Sequence, residues 1–290
     1  MLQFKPGRAK GRLILLIAVL AAAGFAWSGY HKTPLPAAQG DALDGLCTQM
    51  PPAGRPLRIG TFNINGCCGA DDRYDLERTA DALRGCDLVG LCEVHGRSWK
   101  IPQNQARLLG EKVGLSYLFA PAERRWWHDD FGNGILGNLP VIHWQQFPMS
   151  TAQSKDNRAL LLVRAKYAGQ ILNVLIVHVE GINVDAQHRH GDAAQLREVV
   201  ELFASLEAPA ILLGDLNTRP DDPLVQGLLA DARNIDAIAR IPDAGPRAQG
   251  HIDWIVVRGL ACIKAGLVDK GASDHPFYWA DLEWPQAPSH

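Results

Sequence analysis

The sequence predicts an α/β fold: mixed β-sheets packed in layers, with helices outside. Three features predict it. Eight apolar runs of strand length follow one another from Leu57 to Trp284. Three stretches between some of them carry helical periodicity instead. Strands and helices do not alternate strictly, which favours mixed sheets over a doubly wound parallel one.

The first element is apolar. Lys5, Arg8, Lys10 and Arg12 precede 18 uncharged residues, Leu13 to Tyr30. That length lies near the lower limit of about 17–25 for a membrane span. Ala21-Ala22-Ala23 also fits a signal-peptidase site after a short apolar core. Basic residues flank one side only, so the amino terminus is expected in the cytoplasm and the rest outside it. Residues 1–30 therefore read as a signal-anchor or signal peptide. The expected protein is single-pass in the cell membrane through residues 13–30, its main domain on the extracytoplasmic (periplasmic) side. Cleavage would make it secreted. Residues 31–56 hold Pro34, Pro36, Pro51, Pro52 and Pro56 and read as a Pro/Gly-rich linker.

The main domain, 57–285, then runs through its strands. LRIGTFNI (57–64), DLVGLCEV (87–94) and GNGILGNL (132–139) come first. RALLLVRAKY (158–167), QILNVLIVHV (170–179), APAILLGDLN (208–217), HIDWIVV (251–257) and FYWADLEW (277–284) follow. The helical stretches are DLERTADALR (75–84), the region of QNQARLLGEKVG (103–114) and DAAQLREVVELFASL (192–206). There is no internal repeat.

Charge bounds the partners. The formal net charge is −2, and residues 55–290 alone carry −5. A protein that coats nucleic acid by charge is basic, so a generic nucleic-acid binder is disfavoured. Six cysteines are present, with no C-x-x-C spacing. A zinc-ribbon or thioredoxin-like reading has no support. In an exported domain disulfides are open and the pairing is not readable; Cys67-Cys68, in a Gly-rich loop beside Asn63, reads as structural or as one half of a disulfide. Cys86 and Cys92, if extended, stand about 20 Å apart and cannot pair.

Chemistry gathers where strands end. TFNI ends in Asn63, DLVGLCEV carries Glu93, and LNVLIVHVEG delivers His178. GDLN brings Asp215 and Asn217, two residues apart and so on one face if the chain stays extended. Turn chemistry is the plainer reading of that stretch, since Asp and Asn are turn formers. HIDWIVV holds Asp253 among apolar neighbours, ASDHPF supplies Asp274 and His275, and Arg158 stands at a strand start. Carboxylates, carboxamides, imidazoles and a guanidinium suit a hard cation and a phosphate.

The series FN, CEV, HV, GDLN, HIDWI and SDH resembles the endonuclease/exonuclease/phosphatase superfamily over about Leu57 to Trp284. Its relatives include deoxyribonuclease I, exonuclease III, neutral sphingomyelinases and inositol-polyphosphate phosphatases. The resemblance implies a four-layer α/β sandwich, deoxyribonuclease I-like, and metal-dependent hydrolysis of phosphate esters. It makes Glu93 the principal metal ligand, with Asn63 and Asp274, for Mg²⁺ or alternatively Mn²⁺. It makes Asp215 the group that orients or deprotonates water, and Asn217 a donor to a phosphoryl oxygen. His275 contacts the phosphate with Asp253 holding its ring. His178 matches a second histidine and Arg158 a phosphate-facing arginine.

The sequence departs from the family pattern in places. ILGNLP, with Gly137 and Asn138, replaces an expected Ser-Arg, which removes a basic substrate contact. Asp192 stands where an Arg is expected three residues before Gln195. The acidic partner of His178 is expected among Glu123, Asp129 and Asp130. Trp126-Trp127 reads equally as a substrate- or lipid-facing loop and as packing. His188 and His190 read as surface residues. The resemblance implies a phosphate-ester substrate: nucleic acid, phospholipid or small phosphodiester. The protein is expected to be a monomer. The competing class is a catalytically silent, membrane-tethered binding module of the same fold.

Overall fold

A computed structural model describes residues 6–30, 32–45, 54–98, 101–125, 130–151, 156–183, 189–242, 250–269 and 271–285. The order is α1 (Pro6–Tyr30), β1 (Lys32–Pro34), β2 (Ala38–Gly40), β3 (Leu57–Asn63), α2 (Leu76–Leu83) and β4 (Leu88–His95). Then come α3 (Gln105–Val113), β5 (Ser116–Arg125), β6 (Asp130–Gly137), β7 (Val141–Pro148), β8 (Ala159–Tyr167) and β9 (Gln170–His178). A small ribbon, β10 (Gly181–Asn183) with β11 (Arg189–Gly191), precedes α4 (Ala193–Ser205). The chain closes with β12 (Ala210–Asp215), α5 (Pro223–Ala230), β13 (Asn234–Asp236), β14 (Asp253–Arg258), β15 (Ala261–Val268) and β16 (Phe277–Glu283).

Two seven-stranded mixed sheets form, ordered β1-β5-β6-β4-β3-β16-β15 and β13-β14-β12-β9-β8-β7-β2. Their inner faces share one core, with Ile59, Ile135 and Ala280 from the first sheet and Val163, Ile176, Leu213 and Ile255 from the second. The outer face of the first sheet packs Val89 and Leu91 against Ala80, Leu83, Ala106 and Leu109 of α2 and α3. That of the second packs Leu175, Val177 and Leu212 against Leu196, Val199, Phe203 and Val225 of α4 and α5. This is the four-layer sandwich. It explains the unbroken apolar runs: β9 sends Val174 and Ile176 inward, Leu175 and Val177 outward, and both faces are buried.

The helices begin at side-chain caps. Asp75, Asn104, Asp192 and Asp222 each accept a backbone N–H from the first turn of α2, α3, α4 and α5. The departure at Asp192 is thereby explained, because its carboxylate caps α4 through Ala194 and Gln195.

The stretch expected as a linker is built into the fold in part. β1 pairs with β5 and β2 with β7, each closing an edge of one sheet. Pro34 tolerates this because an edge strand leaves one row of N–H groups unused. Strands β5, β7 and β15 were not expected. β5 carries Pro121, while β7 and β15 are half-buried and mix polar with apolar residues. The short α5 is mostly apolar around its circumference and lacks an amphipathic stripe. Among the described cysteines, Cys67, Cys68, Cys86, Cys92 and Cys262 are free thiols; Cys47 lies outside the described residues.

The described side chains of α1, residues 11–25, are all exposed. Among the described residues, no helix is long and apolar enough to cross a membrane.

Direction matters most. β3 runs parallel to β4, and β9 parallel to β12, while β14 runs antiparallel to β12. Asn63, Glu93, His178 and Asp215 therefore come at or near strand ends on one side, and Asp253 starts its strand there. Gly214, just before Asp215, adopts φ +140, and a Cβ would sit 1.8 Å from the Val177 carbonyl oxygen. Gly214→Ala is expected to cost about 3 kcal/mol or more, from backbone strain plus the clash. A urea melt with an unchanged midpoint would contradict this.

Candidate active site

GDLN forms the turn that its Asp and Asn favour, and the turn sets Asp215 among the other polar strand-end groups. β12 ends at Asp215, and Asn217 takes the left-handed region at φ +49. The Asn217 backbone N–H donates to Asp215 Oδ1 at 2.7 Å, a local turn bond. Strand alternation was expected to put the two side chains on one face; it does not, because the strand ends at Asp215 and Asn217 is no longer extended. The turn instead fixes Oδ1 and leaves Asp215 Oδ2 to the site. Asn217 Nδ2 donates to the Val179 carbonyl at 2.8 Å, and the residue is 2% exposed. The turn and Val179 hold it as a brace for Asp215.

Asp215 Oδ2 is the hub. Asn63 Nδ2 donates to it at 3.1 Å and to Glu93 Oε1 at 2.9 Å. His178 Nε2 and His275 Nε2 each stand 3.8 Å away. Burial and then the charge of Asp253 push the Asp215 carboxyl up to about 7.

Glu93 reaches this point through backbone strain. Alternation would send it after Leu91 toward the helices. A bulge between Leu91 and Val94, with Glu93 at φ +56, breaks the alternation. Its side chain keeps 30% exposure.

The His275 ring is pinned by Asp253, whose Oδ2 lies 2.8 Å from Nδ1. Burial alone would lower the imidazole. The Asp253 charge and hydrogen bond, with Asp215 and Asp274, outweigh burial and raise it to about 10. The loop is tied to β3 by Ser273, whose hydroxyl donates to the Asn63 carbonyl at 2.7 Å. Asp274 is exposed beside it.

His178 is held differently. Arg158 Nη1 lies 3.0 Å from its Nδ1. A guanidinium only donates, so Nδ1 is the acceptor and the ring proton sits on Nε2. That N–H stands between Asp215 Oδ2 and Glu93 Oε1, at 3.8 and 3.9 Å. Glu180 Oε2 accepts from Arg158 Nε at 2.8 Å and also from Nη2. The Glu180 backbone N–H in turn donates to Gln195 Oε1 at 2.9 Å.

Several expectations change. Arg158, expected to face phosphate, is 7% exposed and committed to Glu180 and His178. Asn63, expected as a metal ligand through oxygen, turns Nδ2 to the site, because its Oδ1 accepts the Asn65 N–H at 3.1 Å. Of the acids weighed for His178, Glu123 is buried with Arg125 and Asn157, and Asp130 pairs with Arg124. Asp129, Trp126, Trp127 and His188 lie outside the described residues; His190 is exposed. Gly137 pairs with Leu88 at the far end of the sheet, and Asn138 donates to Asp87, so this departure lies away from the site. Glu180 and Gln195 escaped the sequence reading. A Gln four residues before Val199, in register with the apolar face of α4, was the available signal, and the structure buries it fully.

Oxygen donors of the kind a hard cation takes are present here. Glu93 and Asp274 carry carboxylates with solvent access, and Asp215 Oδ2 is close to Glu93 through Asn63. The thiol of Cys92, next to Glu93 in the chain, turns its Sγ to the Val177 carbonyl. Asp215, Asp253 and His275 also form a group whose ligand atoms lie within 4.8 Å of one another. There the short Asp253–His275 bond is the stronger assignment, because a cation would have to displace it.

Comparison with known proteins places the chain. The profile of the Endonuclease/Exonuclease/phosphatase family matches residues 60–275. No curated protein matches the chain. An endonuclease/exonuclease/phosphatase from Beutenbergia cavernae DSM 12333 superposes with a TM-score of 0.63 at 23% identity, over 81% of this chain and 73% of that one. A mannosyl-6-phosphatase from Bacteroides thetaiotaomicron VPI-5482 gives 0.56 at 15% identity, over 79% and 100%. The human Nocturnin catalytic domain, solved with a bound sulfate anion, gives 0.57 at 14% identity, over 87% and 99%. At these identities the likeness is one of fold.

The His178 tautomer is open to measurement. Its ¹⁵N NMR signals at neutral pH are expected to show the proton on Nε2. Arg158→Met should let the proton redistribute between the nitrogens. A proton on Nδ1 in the unmodified protein would contradict the assignment.

Proposed function

Because the chain belongs to the endonuclease/exonuclease/phosphatase family, as a hydrolase of phosphate esters, we propose that it is an exported, membrane-anchored phosphodiesterase activated by Mg²⁺ or Mn²⁺. The observation that carries the reading is the convergence on Asp215 Oδ2: Asn63 Nδ2 at 3.1 Å, with two imidazole Nε2 atoms at 3.8 Å. A silent binding module would have no need to bury that carboxylate among two imidazoles and a second acid.

Glu93 and Asp274 would hold the metal, which would neutralise phosphate charge and stabilise the departing oxygen. The chain's own residues do the rest. Asp215, raised to about 7 by burial and Asp253, takes the proton of the attacking water. As the new P–O bond forms and the ester P–O bond breaks, His275 gives a proton to the leaving oxygen. Asp253 holds the ring for that transfer. His178 donates its Nε2–H to a phosphoryl oxygen as charge develops. Arg158 and Glu180 act through His178 by fixing its ring.

Export and anchoring rest on the first 30 residues: basic residues on one flank, then 18 uncharged ones. The acidic balance of 55–290 disfavours bulk nucleic acid as substrate.

Spheroplasts of a bacterial host expressing the full chain are expected to hydrolyse a membrane-impermeant phosphodiester. EDTA should abolish the activity and Mg²⁺ restore it. Activity that appears only after lysis would contradict export, and activity that survives exhaustive chelation would contradict the metal.

A further inference from the structure

Helix α1 exposes apolar residues around its circumference. Leu13, Ile14, Leu15, Leu16, Ile17 and Leu20 are each more than half exposed. A helix apolar on all sides seeks either a protein core or lipid. A tether through a flexible linker would leave the domain free to tumble beneath a membrane. The structure has no such slack. Only His31 separates the end of α1 from β1, so the Tyr30 and Lys32 Cα atoms are at most about 7–8 Å apart.

β1 joins the sandwich at the end that carries the site. Lys32 pairs with Arg125, the last residue of β5, and Pro34 with Glu123. The partner of β5 at that point is Asp130, the first residue of β6, and Phe131 pairs with His95 just beyond Glu93. The Leu35 N–H extends the attachment to the Ala122 carbonyl at 2.9 Å. Side chains continue it. Lys32 Nζ bonds Asp156 and stands 3.9 Å from buried Glu123. Asp156 Oδ2 stands 3.9 Å from Arg158, which holds His178.

We propose that β1 holds the site end of the sandwich against the bilayer in which α1 sits, so that the site takes phosphodiesters presented in the lipid headgroup layer. This rests on the anchor reading above and deepens it. The geometry is directional. β9 runs nine residues from Gln170, at the far end, to His178, about 27 Å at strand rise. A headgroup layer is only about 5–8 Å deep on each side. One end of the sandwich can lie in it while the other stands in water.

The test uses the full chain in vesicles of phosphatidylcholine and phosphatidylglycerol. Cys47 and Cys68 are replaced by Ser, and one fluorophore is placed at Arg124→Cys or at Gln170→Cys. Both positions are exposed. Lipids spin-labelled at the headgroup should quench the label at 124 strongly and the label at 170 little. A flexible Gly-Ser insert of about 12 residues after Tyr30, spanning roughly 20 Å, should leave the protein on the vesicles and erase the difference. Equal quenching, stronger quenching at 170, or a difference that survives the insert overturns the proposal. Failure to float with vesicles overturns the anchor and the orientation together. Hydrolysis of a soluble phosphodiester by the same samples reports the catalytic reading independently.

Discussion

A carboxylate buried to 1% exposure governs this molecule: Asp215. Burying such a charge costs several kcal/mol unless partners replace water. Its partners come from both sheets. Asn63, at the end of β3, serves one oxygen, and the turn after β12 serves the other. The site therefore exists only while the two sheets keep their relative placement. The shared inner core does that over the length of the sandwich. Near the site, the Cys92 thiol reaches across to the Val177 carbonyl at 3.0 Å. Ser273 ties the final loop to the Asn63 backbone.

Strain concentrates at the same end. Glu93 and Asn217 both hold left-handed backbone angles without being glycine. Asp253 Oδ1 and Asn217 Oδ1 are buried with no hydrogen-bond donor among the described residues. Each such group costs about 1–3 kcal/mol. The apolar layers above and below the sheets carry this load, which is how a site with poor local energetics can stay ordered.

The layers were legible because their signal is local. Strands buried on both faces read as unbroken apolar runs, and the three amphipathic helices read from their periodicity. β5, β7 and β15 were illegible for the same reason in reverse, since Pro121 and half-exposed positions blur the pattern. The site residues announced themselves as polar groups at the ends of apolar runs. What they do to one another did not. Nothing local in the sequence shows that Arg158 faces His178, or that Asn63 presents its nitrogen. Those facts depend on which strands become neighbours and on a bulge at Glu93. Glu180 lies two residues after His178, yet its role needs Arg158, 22 positions away.

The central claim is that the two sheets act on one carboxylate. A double-mutant cycle on Asn63 and Asp215 tests it most directly, with kcat/KM as the readout and circular dichroism to confirm folding. Asn63→Ala and Asp215→Asn should each lower kcat/KM. Asp215→Asn alone should lose at least about 10²-fold. The double variant should lose much less than the product of the single losses, because the two side chains serve one transition state. Losses that multiply, in folded proteins, would show that Asn63 and Asp215 work independently and would contradict the account.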